Sequence, residues 1–377
     1  DRAVAPAIEH WCPADLDGDG QPEIVLVNAR SELIVLDVRG RERWRRTLPV
    51  PVTHISAQPL DPAGPPVLCV GLLGGDLHLY HADGRPRQQW QLAPEFRQRK
   101  DCLQGWFNAI HSLAIWHRDG AGRGCLVLGG YAILVFLNAD GRIVGHSFSD
   151  GPWNTHILVA PESRPDRGDL YVRCGWNHGI EYYQGVPGDG PSGEVYHLGG
   201  FNQPMFRMLK RVIPFLNGRC LAAEWIELPA LAEGAMFFAT TLGCGILSTA
   251  KKDWAWKIEG GLCLNAAATG RIGGQPIALL GGMDGFVSAV DLATGRVIRR
   301  RQLGAPVIGV SQRRDGTLLA ATRTGVHELD AEWQPRRTLE RQLNRVLPLD
   351  ADHLLVSHEN HTLELLGLAA FGAGPDP

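Results

Sequence analysis

The chain has 377 residues, of which 44% are hydrophobic, and its 46 glycines and 25 prolines are typical of a globular, turn-rich protein, not a disordered one. Its net charge of −3 excludes a global basic field of the kind that attracts nucleic acid. No apolar stretch approaches the length of a membrane-spanning helix, so we expect no membrane span.

The first feature along the chain is a run of carboxylates at alternate positions. Residues 15–23 read DLDGDGQPE and precede an apolar, strand-like segment at 24–27. Calcium takes roughly six to eight oxygen ligands, which a tight acidic loop can supply. We expect one structural Ca²⁺ here, and an acidic turn without an ion is the alternative. The predicted ligands are the side chains of Asp15, Asp17, Asp19 and Glu23 and the carbonyl of Gln21.

Hairpin-like segments recur after this loop, each with an apolar strand, a turn containing Asp or Asn and Gly, and a second strand. They lie at 32–44, 76–90, 133–142, 287–296 and 325–333. A further apolar run precedes each hairpin, which gives four short strands per repeat. This pattern predicts an all-β fold, namely a single β-propeller over 1–377 with four-stranded antiparallel blades. We predict eight blades, with seven as the alternative, and residues 3–8 completing the last. The predicted blades span 8–50, 51–95, 104–150, 155–200, 205–260, 261–304, 305–340 and 342–370.

These motifs resemble two known families of propeller repeat. The loop at 15–23 before a Val/Ile strand resembles FG-GAP/VCBS repeats, in which the acidic loop binds calcium. The Leu-Asp-x-x-Gly-x-x-x-Trp hairpins are similar to PQQ-like repeats, but the vicinal cysteines of quinoprotein dehydrogenases are missing, so we do not expect PQQ. Because calcium-loop propellers are commonly exported, the resemblance implies an extracellular or periplasmic location. The start at Asp1 predicts a mature or trimmed form.

The eight cysteines are scattered without a CxxC pair, which argues against a zinc ribbon or a thioredoxin-type site. Several lie in apolar runs, so buried free thiols are favoured, although the number also permits disulfides.

Aligning the blades on Asp17, Asp61 and Asp119 places a histidine at the same point of the first strand in four consecutive blades. First strands line the channel of a propeller, so we expect these histidines to face it. They would act as acid–base groups, as ligands of a transition metal (His10 and His54), or as packing residues inherited by duplication. The aligned residues are His10, His54, His111, His156, Lys210, Asn265, Ile308 and Asn344, with Arg345 beside the last.

Aromatic and polar residues occupy the turns at the end of the predicted blades where the first strands begin, near the aligned histidines. The acidic loop lies at the opposite end. Aromatic rings cover the C–H face of a sugar, and amides and cations hold its polar groups. Some of the tryptophans would instead be blade-packing residues. The predicted sugar-binding residues are Arg99, Trp106, Asn108, Trp153, Asn154, Trp176, Asn177 and Arg207.

Two functions compete on this pattern. One is a lyase-like β-elimination on an acidic polysaccharide, which needs a base, an acid and a cation that neutralises the uronate. The other is a non-catalytic propeller that binds a polysaccharide, an oligosaccharide or another protein within a larger extracellular assembly. For the lyase, the base would be His111, His156 or His178, the acid Tyr131, and the cation Arg99, Lys210 or Arg207.

Overall fold

The structure is a computed structural model, and the fold is built from β-strands. It describes residues 7–60, 64–92, 107–116, 125–131, 133–138, 140–148, 154–159, 170–174, 180–183, 196–198, 210–213, 219–228, 231, 234–251, 253–260, 262–313, 315–330, 332–348, 353–358 and 363–367.

The described residues of the N-terminal unit, Ile8–Phe215, form four sheets. Its strands are β1 (Ile8–Ala14), β2 (Glu23–Asn28), β3 (Glu32–Leu36), β4 (Glu42–Thr47), β5 (Val52–Pro59), β6 (Pro66–Leu72), β7 (Leu77–Tyr80), β8 (Pro86–Trp90), β9 (Ser112–Trp116), β10 (Cys125–Gly129), β11 (Ile133–Leu137), β12 (Ile143–Phe148), β13 (Asn154–Val159), β14 (Leu170–Cys174), β15 (Ile180–Tyr183), β16 (Tyr196–Leu198) and β17 (Lys210–Ile213).

The C-terminal unit, which comprises Leu216–Pro377 and Asp1–Ala7, contains four more sheets among its described residues. Its strands are β18 (Cys220–Ile226), β19 (Ala235–Thr240), β20 (Gly243–Ser248), β21 (Asp253–Glu259), β22 (Leu264–Ile272), β23 (Gln275–Gly282), β24 (Phe286–Asp291), β25 (Val297–Gln302), β26 (Val307–Gln312), β27 (Leu318–Thr322), β28 (Gly325–Leu329), β29 (Pro335–Glu340), β30 (Arg345–Pro348), β31 (His353–Ser357) and β32 (Leu363–Gly367).

Most sheets are antiparallel meanders of four consecutive strands, as predicted. We number them in chain order and call the strand nearest the N-terminus of each sheet its first strand. The five predicted hairpins are all present, for example β3–β4, β7–β8 and β24–β25. Sheet 8 shows three strands in the described part of the chain. Of residues 3–8, predicted to complete it, residues 3–6 lie outside that part, and Ile8 instead begins β1 and pairs with Asn28 in sheet 1.

The predicted boundary between the fourth and fifth repeats is wrong. β17 pairs with β15 and is therefore the outer strand of sheet 4, not the first strand of sheet 5. β16 pairs in parallel with β12 and extends sheet 3. Because β15 ends at Tyr183 and β17 starts at Lys210, a long insertion separates neighbouring strands, and repeat spacing does not carry across it.

Neighbouring sheets bury both faces of their central strands. In β6, Val67 and Cys69 pack into the core shared with sheet 3, whereas Leu68 and Val70 pack into the core shared with sheet 1. This alternation follows from the two-residue period of a strand. It explains why the central strands are continuous apolar runs without the polar alternation of a half-exposed sheet.

A tryptophan at the outer edge of one sheet clamps the hairpin turn of the next. Trp44 on β4 donates its indole N–H to the carbonyl of Ala82 at 2.7 Å, in the β7–β8 turn. Trp256 on β21 does the same to Leu292 at 2.8 Å, in the β24–β25 turn. The clamp therefore occurs in both units, and it gives the tryptophan of the repeat motif a structural role.

Candidate functional site

Six first strands share an irregularity near their start, where pairing with the second strand skips one residue. Such a β-bulge bends the strand and re-aims its side chains. The residue that resumes pairing is a histidine in the N-terminal unit and a small residue in the C-terminal unit. These residues are His10, His54 and His156, and then Ala222, Ala266 and Gly309.

The bulge corrects the predicted alignment at several positions. Asn265 and Ile308 are the skipped residues, so Ala266 and Gly309 hold the position aligned with histidine. Lys210 lies on the outer strand β17, and two strands separate it from the first strand of its sheet. It therefore does not belong to the series of first-strand residues.

The third sheet departs slightly from the same pattern. Ser112 pairs with Gly129, and His111 lies one residue before it. The His111 backbone N–H donates to the Gly129 carbonyl at 2.8 Å, which fixes His111 at the start of β9.

The other three histidines lie within electrostatic range of His54. Burial lowers the pKa of His54 to about 4, and the positive charges of His10, His156 and His111 add to this effect. Burial also lowers the pKa of His111. At neutral pH the two side chains are therefore uncharged imidazoles, and we call the four residues the histidine cluster.

Two members of the histidine cluster differ in how their ring nitrogens are satisfied. His10 Nε2 lies 3.1 Å from the Val52 carbonyl, an acceptor, so Nε2 carries the proton and bridges sheets 1 and 2. His54 Nε2 is buried and has no hydrogen-bond partner among the described residues. A buried polar atom in this state is costly, which marks His54 as the residue to probe.

A metal centre in the histidine cluster is not supported by ligand convergence. Among the described residues, three potential ligand atoms come within 4.8 Å of one another only at Asp15, Asp17 and Asp19.

The acidic loop is held by its own backbone. Asp15 accepts hydrogen bonds from the N–H groups of Gly18 at 2.8 Å and Gly20 at 2.9 Å. Asp19 accepts one from Gln21 at 2.7 Å. These contacts close the turn between β1 and β2, at the far end of β1 from His10.

Arg43 on β4 supplies a positive charge to this loop. Its Nη1 contacts Asp17 at 2.7 Å and Glu23 at 2.8 Å, and it holds the pKa of Asp17 below its usual range. The other oxygen of Glu23 accepts from the Leu16 N–H at 2.8 Å. Both Glu23 oxygens are thus engaged, so Glu23 fits the predicted ligand set poorly, whereas the three aspartates fit a hard cation.

Two predicted binding residues, Asn108 and Asn154, and the predicted acid, Tyr131, have described positions. Asn108 is exposed and its carbonyl accepts from the Gly74 N–H at 2.6 Å; Tyr131 is exposed in the β10–β11 turn; and Asn154 begins β13. The other predicted residues lie outside the described part of the chain, namely Arg99, Trp106, Trp153, Trp176, Asn177, His178 and Arg207.

Large exposed apolar side chains recur at the turn between the second and third strands, which we call the second turn. Leu73 is 50% exposed and Tyr131 37%, on sheets 2 and 3, and Leu242 is 41% and Met283 50%, on sheets 5 and 6. We call the first pair the N-terminal patch and the second pair the C-terminal patch. Only Tyr131 was singled out from the sequence, although an apolar residue followed by glycine within one or two positions marks the other three.

Comparison with known proteins identifies the fold and no family. No family model matches the chain, and no curated protein matches it. The computationally designed Ika8 protein superposes with a TM-score of 0.61 at 10% identity over 96% of both chains. The fold is that of a β-propeller. Dihydro-heme d1 dehydrogenase NirN in complex with DHE gives a TM-score of 0.61 at 12% identity, over 94% of this chain and 71% of that one.

BBS1N in complex with ARL6DN gives a TM-score of 0.54 at 15% identity, over 86% of this chain and 92% of that one. At such low identities these likenesses show the propeller fold alone, because one fold hosts many unrelated functions. Within the described residues, no helix has both the length and the apolar character needed to cross a membrane.

The described cysteines are free thiols, as favoured from the sequence. Burial raises the pKa of Cys12, Cys69 and Cys244 to about 12, which suits packing and not nucleophilic chemistry. Cys263, in contrast, is exposed.

Proposed function

We propose that the chain is a non-catalytic β-propeller that binds a protein partner through its second turns. The observation that supports binding is the pair of exposed apolar residues at the same turn of adjacent sheets in each unit. Contiguous apolar surface on a soluble protein marks interaction sites, and aromatic residues and methionine are enriched there.

The backbone of each patch is fixed by hydrogen bonds, which favours binding. The Leu73 N–H donates to Pro51 at 2.8 Å, and the Met283 N–H donates to Cys263 at 2.7 Å. Leu264, next to Cys263, donates to Thr241 at 2.9 Å, so residues 263–264 join the two turns of the C-terminal patch. A pre-organised surface loses less conformational entropy when a partner binds.

We expect the double variant Leu242→Asp/Met283→Asp to lose the bound partner, because each substitution buries a carboxylate at an apolar contact. The measurement is affinity purification of tagged protein from crosslinked source-cell extract, with quantitative mass spectrometry. Val297→Asp/Ile298→Asp is the matched control, since both residues are exposed on the outer strand β25. A partner retained equally by both double variants would place the interaction elsewhere.

A lyase-like β-elimination on an acidic polysaccharide is the second candidate. It is supported by His111, whose pKa is lowered by burial and which bonds to Gly129, two residues before Tyr131. A neutral imidazole near an exposed phenol could supply a base and an acid. Ultraviolet absorbance of unsaturated uronate, formed from polygalacturonate or alginate and lost in His111→Ala, would favour this candidate over binding alone.

We further propose that Asp15, Asp17 and Asp19 bind one stabilising Ca²⁺, as expected of an exported protein. The ion would compete with Arg43 for Asp17, because both neutralise the same carboxylate. A ligand at a hundredfold excess over its Kd stabilises the folded state by about 2.7 kcal/mol. We therefore expect the melting temperature to rise with calcium and to fall with EDTA.

Arg43→Gln should increase the rise in melting temperature that calcium causes, because it removes the cation that competes with calcium for Asp17. Arg45→Gln is the control: Arg45 lies on the same strand but pairs with Glu42 and Glu32. Identical melting in calcium and in EDTA, for wild type and Arg43→Gln alike, would rule out the ion.

A further inference from the structure

The C-terminal unit contains a cavity of about 290 Å³ beside its first strands. It is lined from β22, from β26–β28 and from β30 and β31, with Leu221 of β18 at one side. Sites for small molecules typically have volumes of roughly 300–1,000 Å³, so this cavity is just below that range and would suit only a small ligand.

The cavity exists where the C-terminal unit has small residues at the bulge. Ala266 and Gly309 line it, whereas the matching bulge positions of the N-terminal unit hold His10, His54 and His156. A Cβ at Gly309 would lie 3.3 Å from the Cβ of Val346, tighter than an ordinary contact. The same place in the repeat is therefore filled by imidazoles in one unit and left open in the other.

The walls of the cavity are uncharged. Its floor is formed by buried apolar side chains such as Leu319, Val326 and Leu354, and its mouth by half-buried Asn265, Ile308 and Ser311. Among the described residues, those that line it include no acidic, basic or histidine side chain. An ionised ligand would thus lose its hydration without gaining a counter-charge, and the site excludes it.

Asn265 supplies a hydrogen-bonding group at the mouth. Its Nδ2 donates to the Val307 carbonyl at 3.3 Å, which orients the amide. Its Oδ1 accepts no hydrogen bond from the described residues, so this oxygen is open to a donor on a ligand.

We propose that this cavity binds a small, neutral, largely apolar molecule that carries one N–H or O–H donor. The apolar body would lie on the floor of the cavity, and the donor would bond to Asn265 Oδ1. None of the described residues that line the cavity lies in a second turn, so the proposal does not depend on the protein-binding function.

The test compares two fluorescent probes that differ by one charge. N-phenyl-1-naphthylamine is neutral and carries a single N–H, and 8-anilino-1-naphthalenesulfonate is the same ring system with a sulfonate. We expect saturable binding of the neutral probe to the full chain at one site, and at least tenfold weaker binding of the sulfonate. Equal binding of the two probes would overturn the proposal.

Variants locate the probe. Ala266→Leu should fill the cavity and reduce affinity for the neutral probe at least tenfold. Ile308→Trp, at the half-buried mouth, should block it with less strain on the core. Ala222→Leu is the matched control, because Ala222 has the same bulge position on β18 but does not line the cavity. A folded Ala266→Leu or Ile308→Trp that binds as wild type does would refute the site.

The role of Asn265 is tested separately. Asn265→Leu should reduce the affinity for N-phenyl-1-naphthylamine at least fivefold. The affinity for 1-benzylnaphthalene, which has no N–H, should be unchanged. Equal losses for both probes would mean that Asn265 only shapes the cavity, and would overturn the predicted donor.

Discussion

Lowering the pH from 7 to 4 is expected to reduce the free energy of unfolding by about 3 kcal/mol through His54 alone. The ordinary pKa of histidine is 6.5, and in the folded protein the pKa of His54 is about 4. Between these values the unfolded chain takes up a proton that the folded chain does not. His54 therefore has no effect on the free energy of unfolding above pH 6.5, and it lowers this free energy steadily as the pH falls from 6.5 to about 4.

The cause of the shift is specific to the histidine cluster. Burial is the largest contribution, and the charges of His10, His156 and His111 follow. Because His54 Nε2 is buried and has no hydrogen-bond partner in the described part of the chain, no described acceptor stabilises an imidazolium there. His111, whose pKa is also lowered by burial, adds a loss of the same sign.

The measurement is urea unfolding at a series of pH values for wild type and His54→Gln. In His54→Gln, the decrease in free energy of unfolding between pH 7 and pH 4 should be about 3 kcal/mol smaller than in wild type, because glutamine does not titrate. His81→Gln, an exposed histidine in the β7–β8 turn, should behave as wild type does. Parallel pH profiles for wild type and His54→Gln would show that His54 is not the group responsible.

Local signals predicted the hairpins correctly because the residues that form them are close in sequence. In the β3–β4 turn, Asp37 accepts from the N–H groups of Arg39 and Arg41, and Gly40 adopts a positive φ of 74°. Every determinant of this turn lies within a few residues. The four-stranded repeat then follows from the order of the strands.

The errors lie where the determinants are distant or depend on backbone register. The bulge inserts one residue that no local pattern reveals, so the sequence aligns Asn265 and Ile308 with the histidines, whereas Ala266 and Gly309 hold that position in the structure. The insertion before β17 displaced Lys210 by a whole strand.

The candidate sites needed the tertiary structure for the same reason. The contact of Arg43 with Asp17 joins residues far apart in the chain, and the acidic loop alone does not predict it. The cavity depends on strands from several sheets. An exposed Met283 cannot be told from a core residue by hydrophobicity alone, and only its place in a turn suggests exposure.

The clamp between neighbouring sheets leads to a second large effect, at Gly84. We expect Gly84→Ala to cost about 2–5 kcal/mol, of which about 1–2 arises from a left-handed backbone and about 1–3 from overpacking. Gly84 has a φ of 79°, and an added Cβ would lie 2.6 Å from Cδ2 of Trp44. The methyl group would displace the indole and weaken its hydrogen bond to Ala82.

Gly40 separates the two costs because it occupies the same turn position in sheet 1. Its φ is 74°, but nothing lies within 4 Å of an added Cβ, so Gly40→Ala should cost only the backbone term of about 1–2 kcal/mol. In a Trp44→Ala background, the loss in free energy of unfolding caused by Gly84→Ala should decrease to that caused by Gly40→Ala. A double-mutant cycle in urea would measure this difference. Equal costs for the two glycines in the wild-type background would contradict the clamp.

Gly295 and Trp256 repeat the contact in the C-terminal unit, with an added Cβ 2.8 Å from Cδ2, so Gly295→Ala should resemble Gly84→Ala.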